Sequence, residues 1–228
     1  MYAHIRFLIL KVSLFKNWTS LYVNKVLGRK STFLKMRNGL IFYTPNIYQT
    51  IPIIAEIFKH KVYGEIEGLR SDAIIVDVGA YVGTFSLYAV QKYPDATIYA
   101  FEPESSNFAA LVKNALPYKN IIPIKKAVGV QSGTATLYVR GEGYGTNSIN
   151  STQGTPIRVS ITSLRDFFSE KKIERCDLLK LDCEGNELAI LASLPKEVER
   201  AITELARNEK PLELPIPVWY APKAKTSW

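Results

Sequence analysis

Ile74-Ile75-Val76-Asp77-Val78 is a β-branched apolar run interrupted by one carboxylate and stopped by Gly79. Short apolar runs bounded by turn residues read as strands buried on both faces. The spacing then predicts a helix over 83–92, a strand over 97–101, and a helix capped by Ser105 or Ser106 that runs to about Leu116. Ile121 to Ile124 reads as a third strand. Gly133 to Val139 and Ile157 to Ile161 alternate apolar with polar, as half-buried strands do, and form a β insertion. Between them, Gly141 to Pro156 is rich in Gly, Ser, Thr and Asn. A loop of that length inside a compact domain is a candidate lid or substrate loop. Thr162 to Phe168 reads as a short helix, and Cys176 to Gly185 as a fourth strand with its exit loop. Asn186 to Leu194 reads as helical, and Lys196 to Asn208 as a further helix.

Upstream, residues 1–30 read as one or two short helices. Lys35 to Tyr43 reads as a hairpin turning at Arg37-Asn38-Gly39, and Ile51 to Phe58 has helical spacing. The alternation of strand and helix downstream predicts an α/β unit with a parallel sheet covered on both faces. The chain therefore divides into an extension over 1–66 and a domain over 67–228. The proline-rich tail from Pro211 to Pro222 fits poorly in a central strand, which predicts a shortened C-terminal sheet edge. An exposed edge favours association with a second copy.

Composition changes this picture in one respect. Residues 1–63 hold ten Lys or Arg and one acid, Glu56, for a net +9; the whole chain is +8, leaving −1 for the rest. Such asymmetry points to anionic neighbours, namely phosphorylated or otherwise anionic substrates, a membrane surface or nucleic acid, or else to a solvated basic face. No apolar run is long enough to span a bilayer, and no cleavable leader is evident. Peripheral membrane contact is compatible with Arg6, Lys11 and Lys16 interleaved with Phe7, Leu8, Leu10, Leu14 and Phe15. Two cysteines, Cys176 and Cys183, make neither a disulfide framework nor a zinc-ligand cluster, which suits a reducing, cytoplasmic setting. Cys183 is expected within a buried strand.

The chemistry starts at Asp77-x-Gly79-x-x-x-Gly83. A strand that ends in glycines and opens a helix brings backbone against a nucleotide-like ligand. The dinucleotide fingerprint needs G-x-G-x-x-G, and Tyr81 stands where its second glycine would fall. Tyr81 leaves less room for a pyrophosphate, and Asp77 adds negative charge. Together they suit a smaller cationic ligand such as S-adenosylmethionine. Glu102, at the end of the next strand, can accept both hydroxyls of a ribose.

The second cluster is Lys180-x-Asp182-x-Glu184-Gly185-x-Glu187. Ligands of open α/β sheets bind beyond the carboxyl ends of the strands. Alternation puts Lys180, Asp182 and Glu184 on one side of the strand, and charges half-buried there must pair or act.

With these residues the chain resembles the FkbM family of S-adenosylmethionine-dependent methyltransferases. The likeness rests on Asp77-x-Gly79-x-x-x-Gly83, Phe101-Glu102-Pro103, Lys126-Ala127-Val128-Gly129 with Gly133, Ser163-Leu164, and Asp177 through Glu187, over about residues 35–195. The resemblance implies a Rossmann-like class I methyltransferase sheet that commonly serves O-methylation of sugars or natural products. It implies that Asp77, Gly79 and Gly83 meet the methionine end of the cofactor and Glu102 the ribose, with Tyr81 also among the cofactor-binding residues. Asn107 and the Lys126–Val128 turn, with Ala127 at its centre, would lie near the adenine. Asp182 would be the base or orienting carboxylate, with Glu184 second and Lys180 holding an anionic group of the acceptor or neutralising the acids. A divalent ion between Asp182 and Glu184 has no support from spacing, and no metal ligands are assigned. The resemblance implies a small molecule or carbohydrate as the acceptor. Two other readings stay open: an RNA methyltransferase using the basic segment, and a catalytically inactive remnant with a binding role.

Overall fold

The computed structural model describes residues 12–63, 68–139, 154–183 and 186–198, together with the backbone of two strands near the C-terminus. In chain order the elements are α1 (Trp18–Val26), β1 (Phe33–Lys35), β2 (Ile41–Tyr43), α2 (Ile47–Ile54) continuing as a π-helical turn (Ala55–Lys59), β3 (Ile74–Val78), α3 (Thr84–Lys92), β4 (Thr97–Phe101), α4 (Ser105–Ala115), β5 (Ile121–Ile124), β6 (Ala127–Gly129), β7 (Gly133–Val139), β8 (Thr155–Ser163), α5 (Leu164–Lys171), β9 (Leu178–Leu181), α6 (Glu187–Ala192), β10 (Ala201–Leu205) and β11 (Val218–Pro222).

Six strands form one sheet in the order β11-β10-β9-β3-β4-β5, every neighbouring pair parallel. Its centre is β3, whose Asp77 lies in register with Ala100 on one side and Lys180 on the other. The expected insertion is a separate three-stranded sheet, β6-β8-β7. The expected lid, Gly141 to Pro156, lies outside the described residues except at its last positions.

The pleat sorts the core into two layers. Ile75, Ile98 and Leu178 face the extension and pack with Leu34, Phe42, Ile51, Ile54, Phe85 and Leu111. Val76, Val78, Leu179 and Leu181 face the other way, onto Phe167, Phe168 and Ile190. Side chains of β-branched strand residues leave alternate faces, so the two clusters follow from the sequence of the strands themselves.

Three expectations need correcting. Lys196 to Asn208 is not a helix: its middle, Ala201–Leu205, is a strand in register with Leu179, Lys180 and Leu181. Pairing with the open edge of β9 outweighs the weak helical preference of a short Ala, Glu and Arg stretch. Helix α4 is capped by Glu104 rather than by a serine, since its carboxylate accepts from the backbone N–H groups of Ser106 and Asn107. Finally, β9 ends at Leu181, so Cys183 lies beyond it, half-buried against the second layer. Within the tail, Val218–Pro222 is an edge strand; proline is tolerated at an edge, where its missing N–H breaks no ladder. Among the expected N-terminal helices, α1 is present; residues 1–11 lie outside the described residues.

Candidate active site

The site is built where β3, β4 and β9 end. The loop from Gly79 to Gly83 leaves β3 with left-handed backbone at Gly79, Tyr81 and Gly83. A Cβ on Gly79 would sit 1.8 Å from the carbonyl oxygen of Asp182, so no side chain fits there. The loop after β3 and the end of β9 thus touch backbone to backbone. At Gly83 a Cβ would meet Leu111 at 2.8 Å, and the residue also opens α3.

Beneath this loop lies a buried ion pair. Asp77 is fully buried; its Oδ2 accepts from Ser86 Oγ at 2.7 Å and its Oδ1 lies 3.1 Å from Lys180 Nζ. Lys180, also buried, donates to the carbonyl oxygens of Gly79 (2.9 Å) and Val78 (3.2 Å). The charge therefore neutralises Asp77 and ties the glycine loop to β9 at once. A buried charge is tolerated when paired and hydrogen-bonded in this way.

Glu102 closes the other side. Its Oε2 accepts from the Tyr81 N–H at 2.9 Å and its Oε1 from the Glu104 N–H at 3.0 Å. Burial raises its pKa to about 8, against the pull of those two backbone donors; the nearby charge of Glu104 adds to the rise. The Tyr81 hydroxyl is 3.0 Å from that of Thr50, which is 2.6 Å from that of Thr44. The left-handed Tyr81 is thereby held at both ends. Asn107 is buried in the first turn of α4, where its side chain hydrogen-bonds Glu102. Ala127 is buried in β6, paired with Ile161.

Asp182 stands just past β9, partly exposed. Its Oδ2 accepts from Tyr63 Oη at 3.2 Å and lies 3.7 Å from Lys180 Nζ. Tyr63 packs edge-on against Phe85, with ring centroids 5.3 Å apart. Glu56, half-buried in the π-helical turn, has its pKa raised by burial and then by the negative charge of Asp182. The structure therefore gathers Asp77, Gly79, Tyr81, Gly83, Glu102, Lys180 and Asp182 at one end of the sheet. Glu184 lies outside the described residues. Glu187 accepts from the Cys183 N–H at 2.8 Å, which ties the start of α6 to the residue after Asp182.

Tyr63, Ser86 and the position of Glu56 escape a sequence reading. Tyr63 reaches Asp182 across 119 residues of chain, and nothing local marks it. Glu56 carries one signal, as the lone acid in the first 63 residues. Among the described residues, no group of three or more His, Cys, Asp or Glu is placed to hold a metal ion.

Over residues 77–211 the chain matches the profile of the methyltransferase FkbM domain. It is 31% identical over 204 residues to the methyltransferase sdnD of Sordaria araneosa, spanning 74% of this chain and 76% of that protein. It is 28% identical over 196 residues to the 31-O-demethyl-FK506 methyltransferase FkbM of Streptomyces tacrolimicus, spanning 71% and 75%. A solved structure, the methyltransferase FkbM from Methylobacillus flagellatus, is similar with a TM-score of 0.42 and 15% identity, over 65% of this chain and 40% of that one.

Proposed function

Because the chain belongs to the FkbM methyltransferase family, we propose that it transfers a methyl group from S-adenosylmethionine to a hydroxyl oxygen of a sugar-like or natural-product-like acceptor. The observation that carries this reading is the carboxylate of Asp182, held by Tyr63 beside a loop whose backbone is bare at Gly79.

The residues present fit the cofactor. A neutral or cationic ligand can approach the Gly79–Gly83 backbone, and the buried acid Glu102 stands at the end of β4, where a pair of ribose hydroxyls would be received. Asn107 and Ala127 lie in the adjoining elements, on the side assigned to the adenine. Once bound, S-adenosylmethionine supplies a methyl carbon already activated by its sulfonium. What remains for the protein is alignment, exclusion of water and a place for the acceptor's proton.

Asp182 is the group assigned to that proton. Its carboxylate can accept the hydrogen of an acceptor hydroxyl, and the Tyr63 hydroxyl holds it in one rotamer. The Lys180 ammonium lies 3.1 Å from Asp77 and 3.7 Å from Asp182, so one cation offsets the repulsion between the two acids. The relative that acts, by its name, on 31-O-demethyl-FK506 supports a hydroxyl of a natural product as the acceptor class.

The test is titration calorimetry with S-adenosylmethionine and its demethylated product, followed by turnover on a panel of hydroxylated acceptors. Glu102→Ala is expected to abolish cofactor binding. Asp182→Asn is expected to lower kcat by about 10²–10⁴ while leaving cofactor affinity within about threefold. A folded wild type that binds neither ligand would sink the enzymatic reading.

A further inference from the structure

The outer side of the N-terminal extension carries apolar side chains that nothing among the described residues covers. Helix α1 buries one residue, Leu21. Tyr22, Val23, Val26 and Leu27 are 56, 51, 68 and 55% exposed. At about 3.6 residues per turn these four share one stripe, on the side of the helix away from Leu21. Phe33 and Ile41 are exposed on the outward face of the hairpin, opposite the buried Leu34 and Phe42. The two elements are joined, since Asn17 at the start of α1 donates to Phe33 O and accepts from the Lys35 N–H.

Exposed cations lie on the same two elements and on the segments that flank and join them. Lys16, Lys25, Arg29, Lys30, Lys35 and Arg37 are all exposed, and no acid occurs before Glu56. Lys25 lies over the ring of the exposed Tyr48, 5.8 Å from its centroid. Soluble surfaces rarely leave apolar side chains contiguous without a partner. A second copy of the chain would bring like charges face to face. A nucleic acid would satisfy the cations and leave the apolar stripe in water. An anionic lipid surface satisfies both, with apolar side chains in the acyl boundary and lysines and arginines at the phosphates.

We propose that α1 and the β1–β2 hairpin dock this protein on an anionic membrane surface. No helix among the described residues is long and apolar enough to cross a bilayer, so the contact is one of surface adsorption.

The test uses the full chain in co-sedimentation with vesicles of phosphatidylcholine alone and of phosphatidylcholine with phosphatidylserine. Binding is expected on the anionic vesicles, about tenfold or more above the neutral ones, and is expected to fall as salt is raised. The double variant Val26→Asp, Leu27→Asp and the triple variant Lys25→Glu, Arg29→Glu, Lys30→Glu should each lose it. Circular dichroism and binding of the demethylated cofactor product confirm that both variants fold. Equal binding to the two vesicle types overturns the proposal, as does binding unchanged in both variants. It is also overturned if no vesicle is bound and the same substitutions abolish a concentration-dependent rise in mass, which indicates a second copy, or a salt-sensitive shift of RNA.

Discussion

Glu102 joins the loop after β3 to the residues that open α4, since one carboxylate receives the N–H groups of Tyr81 and Glu104. Its pKa rises from an ordinary carboxyl value to about 8 because it is buried. A raised folded-state pKa means that the fold favours the protonated form. The contribution to stability is therefore complete below the unfolded value, near pH 4.5, and is lost as pH climbs through about 8. Thermal unfolding of the ligand-free chain should show Tm falling from pH 5 towards pH 8.5, and Glu102→Gln should flatten that slope. The sequence marks Asp77 as a carboxylate inside an apolar strand and Glu102 and Asp182 as carboxylates just past two others, positions that are expensive unless the group is paired or hydrogen-bonded, as all three are here. Tyr63 is not so marked, because its bond to Asp182 depends on how the extension lies across the sheet.

Among the elements, the glycine loop and the hairpin are coupled by one side chain. Asn114, buried in α4, donates to Tyr43 O at 2.9 Å and Val82 O at 2.8 Å, and accepts from the Tyr43 N–H at 2.7 Å. Asn114→Ala would orphan buried backbone groups on both sides. It should cost about 1–3 kcal/mol in denaturant unfolding and weaken cofactor binding more than substitutions elsewhere on α4. Strands β3, β4 and β5 were readable at their observed bounds because a short apolar run beside a turn or polar residue, here Gly79, Glu102-Pro103 and Asn120, has few other readings. β10 was not, since Ala201–Leu205 is too short for periodicity to separate helix from strand and only the edge of β9 decides it.

For the whole molecule, the extension and the sheet are one packed body on that side. Leu34, Phe42, Ile51 and Ile54 share a cluster with Ile75, Phe85 and Leu178. Deleting residues 1–63 should expose this face, seen as lost near-ultraviolet dichroism and increased dye binding rather than as a smaller, still-folded domain. The charge map announced a distinct basic segment but not its shared core, because charge reports on what faces solvent. The contact at Gly79 has a consequence for timing as well as position. The loop assigned to the methyl donor and the peptide that carries Asp182 meet without room for a single carbon atom. A shift of the loop toward β9 therefore meets the Asp182 peptide at once. If the proposed donor and acceptor sites lie on either side of this contact, occupancy of one is expected to tighten binding at the other, which titration of an acceptor with and without the demethylated cofactor product would check.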